Sequence, residues 1–284
     1  MGFSYGRVST DLTVELALPN SSGRIRTMAI VCHSRRLIFL KTRKTAGSSV
    51  EIALSRLCDD GDLVTPIGDE NGPDERLRRE TGGHPPVNWK KPWWRYKFGK
   101  ELRHRIKYGK KPLLVGTHAT AEQLRAHIGD DVWSSYYKVT LERDPWDKAL
   151  SRYWWQRHRH VERHNNDEFE SIGGFLARIA RDRPYWLSNW GHYTIDDEIA
   201  VDRVLFYERL TDDLAALERE LGLEAGALAL PEKRAKGGHR ADRRHYSEVL
   251  SNADRELIAH VCRREIEAFG YEFDDRRDQT HVSA

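Results

Sequence analysis

A loop of small residues follows a short apolar run at residues 36–40, and its residue types suit the binding of an anion. In chain order the loop residues are Arg43, Lys44, Thr45, Ala46, Gly47, Ser48 and Ser49. Small residues let the backbone approach an oxyanion closely, and the N–H groups and dipole at a helix start favour negative charge. The loop therefore predicts an anion site with a lysine beside it. The alternative is an ordinary strand-to-helix turn with a solvated lysine.

The position of Lys44 argues against a loop for ATP or GTP. In the usual nucleoside triphosphate loop, G-x-x-x-x-G-K-[ST], the lysine comes directly after the second glycine. Here Lys44 precedes Gly47, and residues 36–43, which come before the lysine, contain neither of the glycines that the pattern needs. A P-loop kinase of small molecules is thus an alternative that the spacing disfavours.

A second pair of residues that could bind phosphate comes later, at Arg143 and Ser151. Arg143 follows a predicted strand, and Ser151 lies about two turns into the predicted helix. Arginine suits bidentate phosphate contacts, and a serine hydroxyl can donate beside it. Asp144 and Pro145 fit the cap and the first position of that helix. Taken alone, Arg-Asp-Pro is also a common way to end a strand and begin a helix.

Together, in this order and at this separation, the two motifs resemble those of sulfotransferases that use 3′-phosphoadenosine 5′-phosphosulfate (PAPS). Residues 44–49 resemble the 5′-phosphosulfate loop of that family, and Arg143 with Ser151 resembles its 3′-phosphate motif. The similarity extends more loosely from about residue 36 to residue 271. It implies a P-loop-like three-layer α/β fold with a mainly parallel central sheet flanked by helices.

The resemblance also implies a chemistry and a set of roles. PAPS would be the co-substrate, 3′,5′-adenosine bisphosphate (PAP) the product, and no metal would be needed. Lys44 would contact the sulfuryl group and the bridging oxygen, while residues 43–49 would hold the 5′ end of the donor. Arg143 and Ser151 would hold the 3′-phosphate. A late basic segment containing Lys236 and Gly238 is the candidate to close that site, although it lacks the family's Arg-Lys-Gly pattern and could be a surface loop.

The acceptor hydroxyl needs a general base, and His118 is the first candidate. Gly116-Thr117-His118 resembles the Gly-His segment of glycan 2-O-sulfotransferases, and a histidine can titrate near neutral pH. The alternative is a histidine that caps a helix or fills the edge of the core. Other sulfotransferases use a glutamate earlier in the chain, so Glu70 or Asp69 is the second candidate, and His84 is a more distant one.

A basic and aromatic insertion at residues 72–111 is expected near the acceptor site. Within it, residues 89–111 carry ten Lys and Arg against a single acid, Glu101, with tryptophans and tyrosines between them. Such a segment could also belong to a non-catalytic module for anionic glycan or nucleic acid, or be a solvated insertion. We expect an acceptor that is a sugar or another small alcohol, and no nucleic acid partner. The histidines at 158, 160 and 164 indicate a basic helix face rather than a metal site.

These candidates are positioned by strands that alternate with helices. Apolar runs predict strands at residues 12–18, 36–40, 113–115, 136–141 and 204–207. Thr120 with Gln123 fits a capping box for a helix ending at Gly129, another helix opens near residue 211, and a last one spans about 251–269. The alternation predicts an α/β fold in one domain over 1–284, after an irregular lead-in at 1–28.

Composition sets the broad class. Of 284 residues, 39% are hydrophobic and 32% charged, and the net charge is only +3. No apolar run approaches the roughly 20 residues that cross a bilayer, and the N-terminus does not resemble a secretory signal. Three cysteines at wide spacings show neither a metal motif nor a disulfide framework, so we expect a reducing, cytoplasmic location.

Overall fold

The computed structural model describes residues 29–90, 120–232 and 240–277. Its strands are β1 (Ala29–Cys32), β2 (Leu37–Leu40), β3 (Leu63–Val64), β4 (Tyr137–Glu142), β5 (Thr194–Ile195), β6 (Glu198–Ile199) and β7 (Arg203–Phe206). A five-stranded sheet has the order β3-β1-β2-β4-β7, and β5 pairs with β6 separately. The predicted strands at 12–18 and 113–115 lie outside the described residues.

The directions of the strands determine which strand ends lie at the same edge of the sheet. β2 runs parallel to β4, and β4 parallel to β7, whereas β1 runs antiparallel to both β2 and β3. The sheet is therefore mainly parallel, as the sequence predicts. The carboxyl ends of β2, β4 and β7 meet at one edge, which is where open α/β sheets place their ligands. Cys32, the last residue of β1, pairs with Leu37 at the opposite edge.

The helices are α1 (Gly47–Ser55), α2 (Pro73–Glu80), α3 (Ala121–Ile128), α4 (Asp130–Ser135), α5 (Pro145–His164), α6 (Ile172–Asp182), α7 (Trp190–Tyr193), α8 (Leu210–Glu220), α9 (Tyr246–Val249), α10 (Asn252–Val261) and α11 (Arg263–Phe269). Short 3₁₀ turns occupy Pro184–Trp186 and Tyr207–Arg209. Within the described ranges, no helix combines the length and the apolar character that a membrane span requires.

Strand side chains alternate between two cores, which makes the fold three-layered. On one face Leu37 and Phe39 pack with residues of α1 and α8. On the other face Ile38 and Leu40 pack against α3 and Trp133 of α4. Because both faces are covered, the strands read as continuous apolar runs rather than as alternating ones. A third cluster joins α5, α6 and α10.

Local signals at helix starts are confirmed. Thr120 and Gln123 form the predicted capping box of α3, and the helix ends at Gly129. The Asp144 side chain accepts the N–H groups of Trp146 and Asp147, with Pro145 as the first residue of α5.

The single helix predicted for residues 251–269 is wrong. The helix is interrupted at Cys262, so that α10 and α11 are separate helices. The helix α10 packs on α6 and α5, while α11 brings Glu265 to Lys148 and Phe269 to Phe206. Apolar residues recur at helical spacing on both sides of Cys262, so the sequence pattern did not predict the interruption.

Candidate active site

The loop between β2 and α1 has the geometry of an anion site. Lys44 and Ala46 both have φ of 62°, in the left-handed region that non-glycine residues adopt rarely. No side chain caps α1, and its first turn contains no acidic residue. The Ala46 carbonyl accepts the N–H of Ser49 at 2.9 Å, but no acidic side chain of the first turn offsets the positive end of the helix dipole.

A buried ion network supports the start of α1 from behind. The Lys41 ammonium lies 2.8 Å from Ser48 Oγ and 3.0 Å from Glu51 Oε2. Arg78 of α2 lies 3.1 Å from the other Glu51 oxygen and 3.2 Å from Glu75. With two cations and two carboxylates, the network is balanced in charge, which is the condition for burying such groups.

Gly47 is required by this network. A Cβ at position 47 would lie 2.6 Å from Lys41 Cγ, closer than carbon atoms can approach. Thr45 on the other side is fully buried, and its hydroxyl lies 2.9 Å from that of Thr42, which donates to the Leu141 carbonyl of β4. The hydroxyl groups of Thr42 and Thr45 thus fix the loop to the sheet.

Arg143 brings the two predicted motifs into direct contact. At the carboxyl end of β4, its Nη1 donates to the carbonyl of Lys44 at 3.0 Å. Its guanidinium carbon lies 3.9 Å above the Tyr207 ring, and its Nε donates to Asp147 at 2.9 Å. The side chain is almost buried, so the guanidinium is fixed beside the anion loop.

Asp147 links Arg143 to the late part of the chain. Its second oxygen accepts from Arg240 at 2.7 Å. Burial opposes ionisation of this carboxyl, but the guanidinium groups of Arg143 and Arg240 lower the pKa of Asp147 below its ordinary value. Arg240 thus brings the end of the late basic segment to Arg143. Lys236 and Gly238 lie outside the described residues.

Arg152, which is buried, and Arg43, which is half-buried, add positive charge near the loop. Arg43 donates to the Tyr185 carbonyl at 3.0 Å and to Nε2 of His192, and Arg152 donates to the Trp186 carbonyl at 3.3 Å. Neither forms an ion pair with a carboxylate in the described parts of the chain. Burial lowers the pKa of Arg43 to about 10 and that of Arg152 to about 9, so both stay protonated at neutral pH. Cations that are shielded from solvent and have no carboxylate partner are suited to bind an anionic ligand.

Asn189 holds the backbone of Arg43 in place. Its side-chain oxygen accepts the Arg43 N–H at 3.0 Å, and its amide nitrogen donates to the Arg43 carbonyl at 3.2 Å and to Glu142 at 3.2 Å. Glu142 in turn accepts from Lys148 at 2.8 Å and from the Tyr193 hydroxyl at 3.0 Å. Sequence reasoning missed Asn189 and Arg152. Arg152 could have been identified by its position next to Ser151, whereas no feature of the sequence around Asn189 pointed to that residue.

The other candidate residues are distributed as follows. Ser151 lies half-buried on α5. Glu70 is exposed and forms an ion pair with Lys90, and Asp69 accepts the Gly72 N–H through its carbonyl. The N–H of His84 donates to the carbonyl of Ser55, the last residue of α1, so His84 lies at the helix end away from the anion loop. His118 lies outside the described residues.

A cleft of about 330 Å³ lies along α5 and α6, next to Lys44. The ammonium of Lys44 lies 4.9 Å from the centre of the Trp155 ring, and Trp155 also lines the cleft. Further lining residues are Arg159, His160, Arg163, Arg178 and Trp186. Arg178 pairs with Glu170, but Arg159 and Arg163 have no carboxylate partner in the described part of the molecule.

Comparison with known proteins gives three matches. The model of a family described as "Sulfotransferase family" matches residues 27–272. An uncharacterized protein of Archaeoglobus fulgidus is 26% identical over 104 residues, which are 36% of this chain and 82% of that protein. The crystal structure of a sulfotransferase from Alicyclobacillus acidocaldarius aligns with 84% of this chain and 96% of its own, at 16% identity and a TM-score of 0.38.

Proposed function

The chain belongs to the sulfotransferase family, and on that premise we propose that it transfers a sulfuryl group from PAPS to the hydroxyl of an acceptor alcohol. The observation that carries the proposal is the 3.0 Å hydrogen bond from Arg143 to the carbonyl of Lys44. It joins an anion loop to a fixed guanidinium, and PAPS has an anionic group at each end of its nucleoside. Arg43, which is half-buried, and Arg152, which is buried, supply further positive charge for such a ligand.

The proposed reaction is an in-line displacement at sulfur. The acceptor oxygen forms a bond to sulfur as the bond from sulfur to the 5′-phosphate oxygen breaks, and the electron pair leaves with PAP. Lys44 stabilises the charge that develops on the leaving oxygen, while the start of α1 holds the 5′-phosphate. Arg143 and Ser151 hold the 3′-phosphate. Such a transfer is accelerated by orienting the two reactants and by stabilising the charge of the transition state. No covalent enzyme intermediate is needed.

Nucleotide binding tests the proposal directly. Calorimetric titration of the full chain is expected to show tight binding of PAP without metal and weak or absent binding of ATP with Mg²⁺. The physical reason is that the site offers cations for two separate phosphate groups and departs from the triphosphate loop pattern at Lys44 and Gly47. Tight binding of ATP with Mg²⁺ instead would indicate a kinase. Binding of neither nucleotide by folded protein would favour a non-catalytic module.

His118 is the proposed general base, with Glu70 or Asp69 as the alternative. Replacing His118 by alanine is expected to lower kcat by about 10²- to 10⁴-fold, the usual effect of losing a positioned base. The Kd for PAP should stay unchanged, because the base contacts the acceptor rather than the donor. Steady-state kinetics with calorimetry separates the two quantities. Full turnover by this variant, together with a large loss in Glu70→Gln, would move the role to Glu70.

The cleft beside Lys44 is the proposed acceptor site. Trp155 and Trp186 offer aromatic faces for a ring, and Arg159 and Arg163 offer charge for an anionic group on the acceptor. Mass spectrometry of acceptors incubated with PAPS would identify one by its gain of a sulfate group. For that acceptor, changing both arginines to alanine should raise KM about tenfold or more at unchanged Kd for PAP. Arg181→Ala, on the exposed side of α6, is the matched control, and equal effects of both changes would contradict this placement.

A further inference from the structure

Two cysteines that are distant in sequence meet a carboxylate at the sheet edge opposite the anion loop. Cys32 ends β1, Cys58 follows α1, and Asp62 lies in the turn before β3. The two sulfur atoms and a carboxylate oxygen all lie within 4.8 Å of one another. We propose that Cys32, Cys58 and Asp62 bind a zinc ion. The proposal is independent of the transfer reaction, because the cluster and the anion loop lie at opposite edges of the sheet.

The carboxylate of Asp62 is held in place by two backbone hydrogen bonds. One oxygen accepts the N–H of His33 at 2.6 Å, and the other accepts the N–H of Asp59 at 2.8 Å. Each carboxylate oxygen can accept a second partner, so both bonds are compatible with a metal ion. Hydrogen bonds of this kind fix the orientation of ligands in metal sites.

Charge gives an independent reason for a cation at this position. Asp62 is only 1% exposed, and it forms no ion pair with a lysine, arginine or histidine in the described part of the chain. A buried carboxylate without a counter-charge is costly, and neutral N–H donors offset only part of that cost. A divalent ion bound directly to Asp62 would place positive charge beside this carboxylate, and the two cysteines would release their thiol protons to solvent as they bind.

The donor set identifies the metal. Thiolates prefer soft or borderline ions, and two sulfurs with one oxygen are ligands that zinc takes in tetrahedral geometry. Two sulfurs on one tetrahedral zinc lie about 3.8 Å apart, so the present spacing needs to close by at most about 1 Å. Three protein ligands leave a fourth position for water. Cys58 is half-buried, which gives the ion a route in, whereas Cys32 is buried.

Cobalt substitution tests the site through a signal that only thiolate ligands give. The full chain, reduced and freed of metal with a chelator, is titrated with Co²⁺ and then with Zn²⁺. We expect thiolate-to-cobalt charge-transfer absorption that saturates at one Co²⁺ per chain and disappears when Zn²⁺ is added. Cys58→Ser should abolish this absorption and weaken Zn²⁺ binding at least about tenfold, and Asp62→Asn should weaken it as well. Cys262→Ser, which removes a buried cysteine outside the cluster, is the matched control and should bind as the unaltered protein does.

A second measurement needs no variant. Zn²⁺ should slow the alkylation of Cys58 in the unaltered protein, and peptide mass spectrometry can follow that residue alone. Lack of charge-transfer absorption at saturating Co²⁺, absorption that survives Cys58→Ser, or alkylation of Cys58 that Zn²⁺ leaves unchanged would each overturn the proposal.

Discussion

Replacing Lys44 by alanine is expected to lower kcat by about 10²- to 10³-fold, which is the usual effect of losing one group that stabilises transition-state charge. The affinity for PAP should change little, because the part of residue 44 that holds Arg143 is its carbonyl oxygen. Alanine and lysine also have similar difficulty in adopting the left-handed backbone found here. Turnover measured as PAP release, together with calorimetry, separates the two effects.

Lys41 provides the matched control for that experiment. It lies three positions earlier, but its ammonium is buried against Glu51 and Ser48. Lys41→Met should therefore lower the free energy of unfolding by about 3–5 kcal/mol, since it leaves a buried carboxylate without one of its partners. If Lys44→Ala instead weakens PAP binding as much as it lowers kcat, Lys44 acts in binding and has no special role in the transition state.

Replacing Arg143 by alanine is expected to weaken PAP binding by about 2–5 kcal/mol, the usual cost of truncating one member of a desolvated charge pair. Affinity for adenosine 5′-monophosphate, which lacks the 3′-phosphate, should fall much less. The reason is that the guanidinium is proposed to contact only the 3′ end of the donor. Calorimetry with both nucleotides on both proteins isolates the contribution of the 3′-phosphate.

Arg143→Lys tests whether the geometry of the guanidinium matters. Lysine keeps the charge, but it cannot make two parallel contacts or stack flat on Tyr207, so only part of the affinity should return. Equal losses for PAP and adenosine 5′-monophosphate in Arg143→Ala would show a different role. Arg143 would then act by holding the Lys44 carbonyl rather than by contacting the 3′-phosphate.

The parts of the site that the sequence predicts are those encoded locally. The strand, small-residue loop and helix at residues 36–55 occur in one stretch, and so do Asp144 and Pro145 at the start of α5. Asn189 could not be predicted, because it reaches Arg43 across 146 positions and its neighbours carry no motif. Cys32 and Cys58 show no metal spacing for the same reason, since the sheet and the turn after α1 bring them together.

The hydrogen bond between Arg143 and the Lys44 carbonyl makes the two ends of the proposed donor site thermodynamically linked. If the 3′-phosphate of a ligand draws the Arg143 guanidinium toward itself, the hydrogen bond to the Lys44 carbonyl changes. The loop that receives the 5′ end of the same ligand then changes as well. Such coupling is reciprocal, so occupation of either end alters the affinity of the other by the same factor. The binding free energy of a nucleotide with both phosphates would therefore differ from the sum of the binding free energies of its two halves.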